Sequence, residues 1–427
     1  MTRPLLGLCT LQVLALVYYA VYFGDHGYLP APFVYDKSDT FMDFFHVMYW
    51  ADHPGRYTDW GSIYPPINFL FMEALRWLFI GKVQFADAFA IRAYSPELQY
   101  FIVAMYLVVP AWTMTTRLWD DYSGTHKTLF YTFFALSAPM LFGIERGNLI
   151  VLCLIFVAIA LASDGWRRLA VIALLINIKP YFAILMLAPI VAGRWSDAII
   201  IASLAGAIFV LSGLLLDPNF LYFLLNLLSF SQSDAVFSGR EVLALPSSVS
   251  AFSYVLAVAV RDGARLGAIG LDLSVVSLSV TLINYAAIAF ALVSLALAGR
   301  RLTQAQVLAI LLILISNLGV WVGGYSMLVY PLLVPVLMTF RARWVHLALL
   351  VPILLPLDLL VLSSEPLGTQ NVYLSNAIMP IEYQLGLGTI LRPVLNLCLL
   401  GTLSLEALAR IPLPFLQHPS TQKVAAQ

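Results

Sequence analysis

Apolar runs of about 17 to 25 residues recur from one end of this chain to the other, each as long as a helix needs to cross a lipid bilayer. The stretches 5 to 23, 98 to 116, 127 to 143, 148 to 162, 197 to 216, 274 to 299, 303 to 322, 325 to 340, 345 to 362 and 389 to 408 each read as a span or most of one. Four shorter or interrupted stretches, 64 to 81, 168 to 192, 220 to 230 and 249 to 260, bring the expected count to about 10 to 13. The fold class is therefore all-α, a polytopic integral membrane protein. Only 11% of the residues are charged, against about a quarter in ordinary soluble domains, while 61% are hydrophobic. A formal net charge of zero argues against a nucleic-acid partner. Cys9, Cys153 and Cys398 all sit in apolar runs, which gives neither a disulfide framework nor a cysteine zinc site. No internal repeat or domain boundary stands out, so residues 1 to 410 read as one membrane domain with a flexible tail at 411 to 427.

Charge placement gives the orientation. Arg3 precedes the first apolar run and no small-residue cleavage motif follows it, which reads as a retained span starting in the cytoplasm. Residues 24 to 63 carry Asp25, Asp36, Asp39, Asp43, Asp52 and Asp59 against only Lys37 and Arg56, so this first loop faces outward. Arg167 and Arg168, Arg194, Arg300 and Arg301, and Arg341 and Arg343 mark cytoplasmic turns. Glu145-Arg146-Gly147-Asn148, one span before Arg167, then lies on the outer side. Counting crossings leaves a conflict at 64 to 81: that segment is re-entrant or interfacial, or a later assignment is off by one crossing.

The stretch between Arg168 and Arg194 holds about 25 residues, roughly 38 Å as helix, enough for one crossing but not two. A chain returning to its starting side must turn back, and Asn177-Ile178-Lys179-Pro180 is the natural place because proline disfavours helix before it. Lys179 would then sit at membrane depth, where an ammonium needs a wet cavity or an anion such as phosphate. The other reading is a kinked single span with Lys179 snorkelling to an interface.

The densest set of acids, histidines and aromatics lies at 39 to 66. Asp39, Asp43 and His46 share one helical face there, and Phe41, Phe44, Phe45 and Met48 share the other. That pattern predicts an amphipathic helix on the membrane surface, apolar side in the headgroup boundary and acids toward water. A solvated juxtamembrane helix with incidental acids, and a metal site from Asp43, His46 and His53, are the alternatives; the spacing matches no strong metal signature. Polar segments recur at 217 to 248 and 363 to 388, the first carrying Arg240 in an outward loop able to close over substrate. Asp120-Asp121 reads as a solvated turn, and no Walker-type phosphate loop is present, which disfavours an ATP-driven pump.

Asp43-Phe44-Phe45-His46-Val47-Met48-Tyr49 followed by Tyr64-Pro65-Pro66, then Glu145-Arg146-Gly147-Asn148, Lys179-Pro180-Tyr181 and Gly323-Gly324-Tyr325, occur in an order that resembles the polyprenyl-phosphate-mannose-dependent mannosyltransferases, glycosyltransferase family 87 with the GT-C fold. The likeness covers about residues 1 to 200; beyond them it is one of hydropathy and length. It implies an inverting transfer of a sugar from a polyprenyl-phosphate donor to a hydroxyl of a glycan or glycolipid acceptor, at the outer or periplasmic face of the plasma membrane. The general base implied is Asp43, with Asp39 in reserve one turn earlier. His46, Tyr49, Tyr64, Glu145, Arg146, Asn148, Lys179, Arg240 and Tyr325 are the expected substrate-binding residues, with the cations toward phosphate. One acid suffices chemically, because a lipid phosphate leaves as a stable anion whereas a glycosidase must protonate its leaving group. No cofactor is implied, and a divalent ion stays open. Glu145-Arg146 departs from the neutral residue and glutamine of the family pattern, which leaves the sugar open. Two rivals remain: an oligosaccharide polymerase or ligase using a polyprenyl-diphosphate donor, and a lipid or sugar transporter.

Overall fold

The structure is a computed structural model that describes residues 2–33, 39–230, 239–261, 273–319, 322–359, 361–371 and 378–411. The tail beyond 411, and Asp36 and Lys37 of the first loop, lie outside the described residues. Helix α1 (Thr2–His26) runs parallel to α6 (Gly124–Ala135), as the pairs Cys9 with Leu129 and Gln12 with Phe133 advance together. Between them come α2 (Met42–Ala51), α3 (Pro66–Phe79), α4 (Ala88–Tyr94) and α5 (Pro96–Thr113). Helix α5 returns antiparallel to α6, with Tyr131 donating to the Leu107 carbonyl. Thus α2, α3 and α4 occupy the excursion between one outgoing and one returning helix.

Within that excursion, the segment 64 to 81 holds a short helix that does not continue into a longer one. Helix α3 starts at Pro66, where a missing N–H costs nothing, and packs on α2 and on the later helices Trp195–Leu216 and Gly165–Ile178. Helix α2 is where its periodicity predicts, but its apolar side does not meet lipid: Phe44, Phe45 and Met48 are fully buried in the protein core, chiefly under α3. A repeating apolar face specifies burial without naming what covers it. Asp39 also falls before the helix, because Phe41 adopts φ 63° and starts a new direction.

After α6 the chain bends by 55° into α7 (Ala138–Arg146). Helix α8 (Ile150–Ala162) then descends, and α9 (Gly165–Ile178) climbs back beside it, tied by the Arg168 guanidinium to the Ala160 carbonyl at 2.9 Å. Helix α9 stops at Lys179, whose backbone is extended, and a 3-10 segment, Pro180–Met186, leads through α10 (Leu187–Val191) to Arg194. Arg168 and Arg194 lie close enough for their charges to repel, so the two arms start and finish at the same end. The expected turn-back at 177 to 180 is present. Asn68 of α3 holds it, its side-chain amide reaching the carbonyls of Asn177 and Ile178 that the broken helix leaves without partners.

Helix α11 (Trp195–Leu216) is a full-length apolar helix with Leu214 and Leu215 at 69% and 78% exposure, too exposed to be part of the protein core. Helices α12 (Tyr222–Phe230), α13 (Gly239–Ala244) and α14 (Ser250–Arg261) follow, then α15 (Leu273–Ala298), against which α14 packs through Ser253, Ser277 and Thr281. A second hairpin comes next. Helix α16 (Gln304–Ile315) begins with a Thr303–Gln306 capping box, and the chain turns at Gly323 and returns through the 3-10 segment Gly324–Leu333 and α17 (Val334–Leu337). Gln306 donates to the Thr339 hydroxyl at 2.9 Å, so this pair also closes on one end. The apolar runs expected at 303 to 322 and 325 to 340 supply the two arms of that hairpin, through Gln304–Ile315 in the first and Gly324–Leu337 in the second.

Helix α18 (Arg343–Leu354) leads to an antiparallel ribbon, β1 (Val361–Asn371) with β2 (Ile378–Gly386), and α19 (Leu387–Leu408) closes the chain. The ribbon is the one addition to an otherwise helical fold among the described residues; it occupies the polar segment 363 to 388. Below it, Arg392 and Asp358 form a fully buried two-pronged ion pair, whose guanidinium also reaches the Leu355 carbonyl at 3.0 Å. Thr2–His26, Trp195–Leu216, Ser274–Arg301 and Leu387–Leu408 are long and apolar enough to cross a membrane, with the bent pair of α6 and α7 as a fifth. These are the helices of a membrane-associated protein.

Candidate active site

Both hairpin tips, the turn between α7 and α8, the start of α2 and the loop before α3 converge on one cavity of about 760 Å³. That is within the usual range for small-molecule sites. Following α8 or α9 from the arginine-rich end, the cavity lies roughly 20 Å up the bundle.

Asp43 stands in the first turn of α2 and lines the cavity. Its Oδ1 accepts from Arg146 Nη2 at 2.9 Å and its Oδ2 from Asn148 Nδ2 at 2.7 Å. The hydroxyl of Tyr325, from the second hairpin tip, also reaches it, and the Tyr325 ring stacks on Phe142 at 5.0 Å. Two backbone features allow this assembly. Gly147 ends α7 at φ 67°, and a Cβ there would crowd Phe41 and Phe44 at 3.2 Å. Phe41 takes the same left-handed region, unusual for an aromatic residue, and donates its N–H to the Glu145 carbonyl at 2.7 Å. The first loop is thereby stitched to the turn before α8, bringing Asp43 to Arg146.

Arg146 was expected to face phosphate. It instead bridges Asp39 and Asp43, so its charge is already answered twice. Asp39 lies outside the cavity lining and contributes through that bridge. Lys179 differs: it lines the cavity, no carboxylate pairs with it among the described residues, and its Nζ rests 4.7 Å from the centre of the Tyr64 ring. Burial, and then the charge of Asp43, push the Tyr64 phenol up, so it stays a neutral donor at physiological pH. One cavity thus holds a braced carboxylate and an ammonium without an acid partner.

The remaining expected residues divide. Asn148 lines the cavity and uses its Oδ1 to accept from the Ile150 N–H at the start of α8. Glu145 is buried behind the site and serves it through its backbone carbonyl. His46 turns away, stacking on Trp50 and meeting Phe89 edge-on. Tyr49 donates to the Ala86 carbonyl and presents its ring edge to edge-to-face contact with Trp60. Both were expected at the sugar and stand one layer behind it, because α4 and the loop before it cover His46 and tie down Tyr49. Arg240 falls in α13, and its side chain lies outside the described residues. Trp50, Trp60 and Asn68 were not singled out from sequence; the aromatic richness of 39 to 66 was the available signal for the two tryptophans, while nothing local marks Asn68. Among the described residues no three His, Cys, Asp or Glu side chains gather as a metal-binding group. No family model, curated protein or solved structure matches the chain.

Proposed function

We propose that this protein is an inverting membrane glycosyltransferase that moves a sugar from a polyprenyl-phosphate donor to a hydroxyl of a glycan or glycolipid acceptor at the outer face. The observation that carries the reading is the pairing, in one cavity, of the braced Asp43 carboxylate with the acid-free Lys179 ammonium. A carboxylate offers about four acceptor positions, more than Arg146, Asn148 and Tyr325 use on Asp43. Asp43 takes the proton of the acceptor hydroxyl as that oxygen attacks the anomeric carbon from the face opposite the phosphate. The bond from anomeric carbon to phosphate oxygen breaks, and the lipid phosphate leaves with its new negative charge beside Lys179 and the Tyr64 hydroxyl. Arg146 holds the base rather than the leaving group. A sugar phosphodiester carries one negative charge, which the Lys179 ammonium in the cavity lining answers.

With the arginine-rich end in the cytoplasm, α1, α5, α6 with α7, α8, α11, α15, α18 and α19 are the complete crossings. That makes eight crossings, fewer than the 10 to 13 expected, with four hairpin arms that enter without crossing. A GT-C type of membrane enzyme is the architecture this reading implies, with α2 to α4 as its outer cap. In purified protein with labelled polyprenyl-phosphate-sugar, Asp43→Asn should lower turnover by at least about a hundredfold with donor binding retained. Lys179→Ala should raise the donor KM more than the acceptor KM. Full activity in Asp43→Asn removes the proposed base, and equal loss for both substrates in Lys179→Ala removes the phosphate role.

A further inference from the structure

One part of the cavity wall has no role in the reaction as described. Trp50 and Trp60 both line it, 6.4 Å apart and inclined by 32°, so their indoles form a shallow aromatic wall. Trp60 is 46% exposed, yet its loop is held firmly. The N–H groups of Asp59 and Trp60 both donate to the Gly55 carbonyl, and Ser62 N–H to that of Arg56. The buried Tyr57 donates its hydroxyl to the Tyr64 carbonyl, and Asn226 of α12 grips the carbonyls of Tyr57 and Ser62 at 2.8 and 3.2 Å. Behind the indoles, Tyr49 and His53 meet Trp60 edge to face, and His46 stacks on Trp50. His53 accepts the Gly55 N–H at Nδ1, which leaves its Nε2 carrying the proton in the neutral ring.

An indole held open to solvent from a pinned loop is pre-organised for a ligand. Its chemistry narrows the ligand. Flat apolar faces rimmed by hydrogen-bonding groups suit the C–H face of a pyranose, whose hydroxyls point outward to polar partners. We infer that Trp50 and Trp60 form a subsite for a neutral sugar ring of the acceptor, seated so that its free hydroxyl reaches Asp43. This rests on the proposed transfer reaction for its consequence, but sugar binding itself can be measured without any transfer. A quaternary ammonium headgroup is the other ligand an aromatic wall attracts. It fits less well, because the hydroxyl to be activated near Asp43 belongs to a sugar and not to a choline.

Two measurements on the full-length protein in lipid nanodiscs test the subsite. In titrations of tryptophan emission with neutral trisaccharides built from mannose, glucose or galactose, and separately with phosphocholine, at least one trisaccharide should bind, with affinity about tenfold weaker in Trp60→Ala and partly restored in Trp60→Tyr. No trisaccharide binding, binding indifferent to Trp60→Ala, or Trp60-dependent binding of phosphocholine alone overturns the inference. In transfer assays, Trp60→Ala should raise the acceptor KM about tenfold and leave the donor KM and slow donor hydrolysis by water unchanged. A loss shared equally by donor and acceptor also overturns it. Sugar binding without transfer from any lipid phosphate keeps the subsite and sinks the proposed reaction instead.

Discussion

At the scale of single residues, the candidate site depends on side chains whose partners lie more than a hundred positions away. Asp43 was legible because acids are rare here and it opens an aromatic run. Its partners Arg146 and Asn148 were visible as a polar knot, but not what the knot bonds to. The difference matters for Arg146, which two carboxylates claim. His46 shows the same limit. Helical spacing puts it on the face of Asp43, yet α4 covers it, and burial together with the nearby Arg92 charge lowers its pKa below the ordinary 6.5. The sign of the consequence follows. With a folded pKa below the unfolded one, neutral His46 contributes its full stability above about pH 6.5. That contribution shrinks as pH falls through 6.5 toward the lowered folded value, where the protein must take up a proton the fold resists. The thermal midpoint of detergent-solubilised protein should therefore drop between pH 7 and pH 5, and His46→Gln should flatten that part of the profile. An identical slope in the variant would assign the acid sensitivity to other groups.

At the scale of elements, the informative unit is the helix that stops. Helix α9 ends at Ile178 because Pro180 cannot continue it, and the unpaired carbonyls at the break need donors in a place far from water. Asn68 supplies them from α3, contacting Pro65, Asn177 and Ile178 with one amide, while Asn177 turns its own amide to Ala173 and to Ala205 of α11. The break was legible from Lys179-Pro180; its support was not, since a single asparagine in an apolar helix carries no local signal of a partner more than a hundred residues on. Replacing that amide by a methyl should cost about 1–3 kcal/mol, the scale for buried carbonyls left unbonded. In Asn68→Ala the tip should loosen, so the melting midpoint falls and the donor KM rises while the acceptor KM holds. An unchanged midpoint would show that the tip supports itself.

At the scale of the whole molecule, hydropathy counts apolar segments but cannot tell a crossing from a return. Helix α16 and the segment after Gly323 are as apolar as any span, and the contact of Gln306 with Thr339 shows that the two arms begin and end together. The arginine clusters were the better guide, because each hairpin begins and ends at one. The two tips are what place backbone carbonyls, Lys179 and Tyr325 inside the bundle, where exposed polar backbone is tolerated only around a cavity. A labelling experiment separates this arrangement from one of straight crossings. In a variant lacking Cys9, Cys153 and Cys398, single cysteines at Asp164 and Ser196 should react with a membrane-impermeant maleimide only from the cytoplasmic side of inverted vesicles, as should one at Arg341. A cysteine at Asp59, in the loop that carries Trp60, should react only from the opposite side. Labelling of positions 164 and 196 from opposite sides would make α9 and α10 a single kinked crossing. Lys179 would then lie along a span rather than at a tip, and the cavity would lose the turn that brings its ammonium to Asp43.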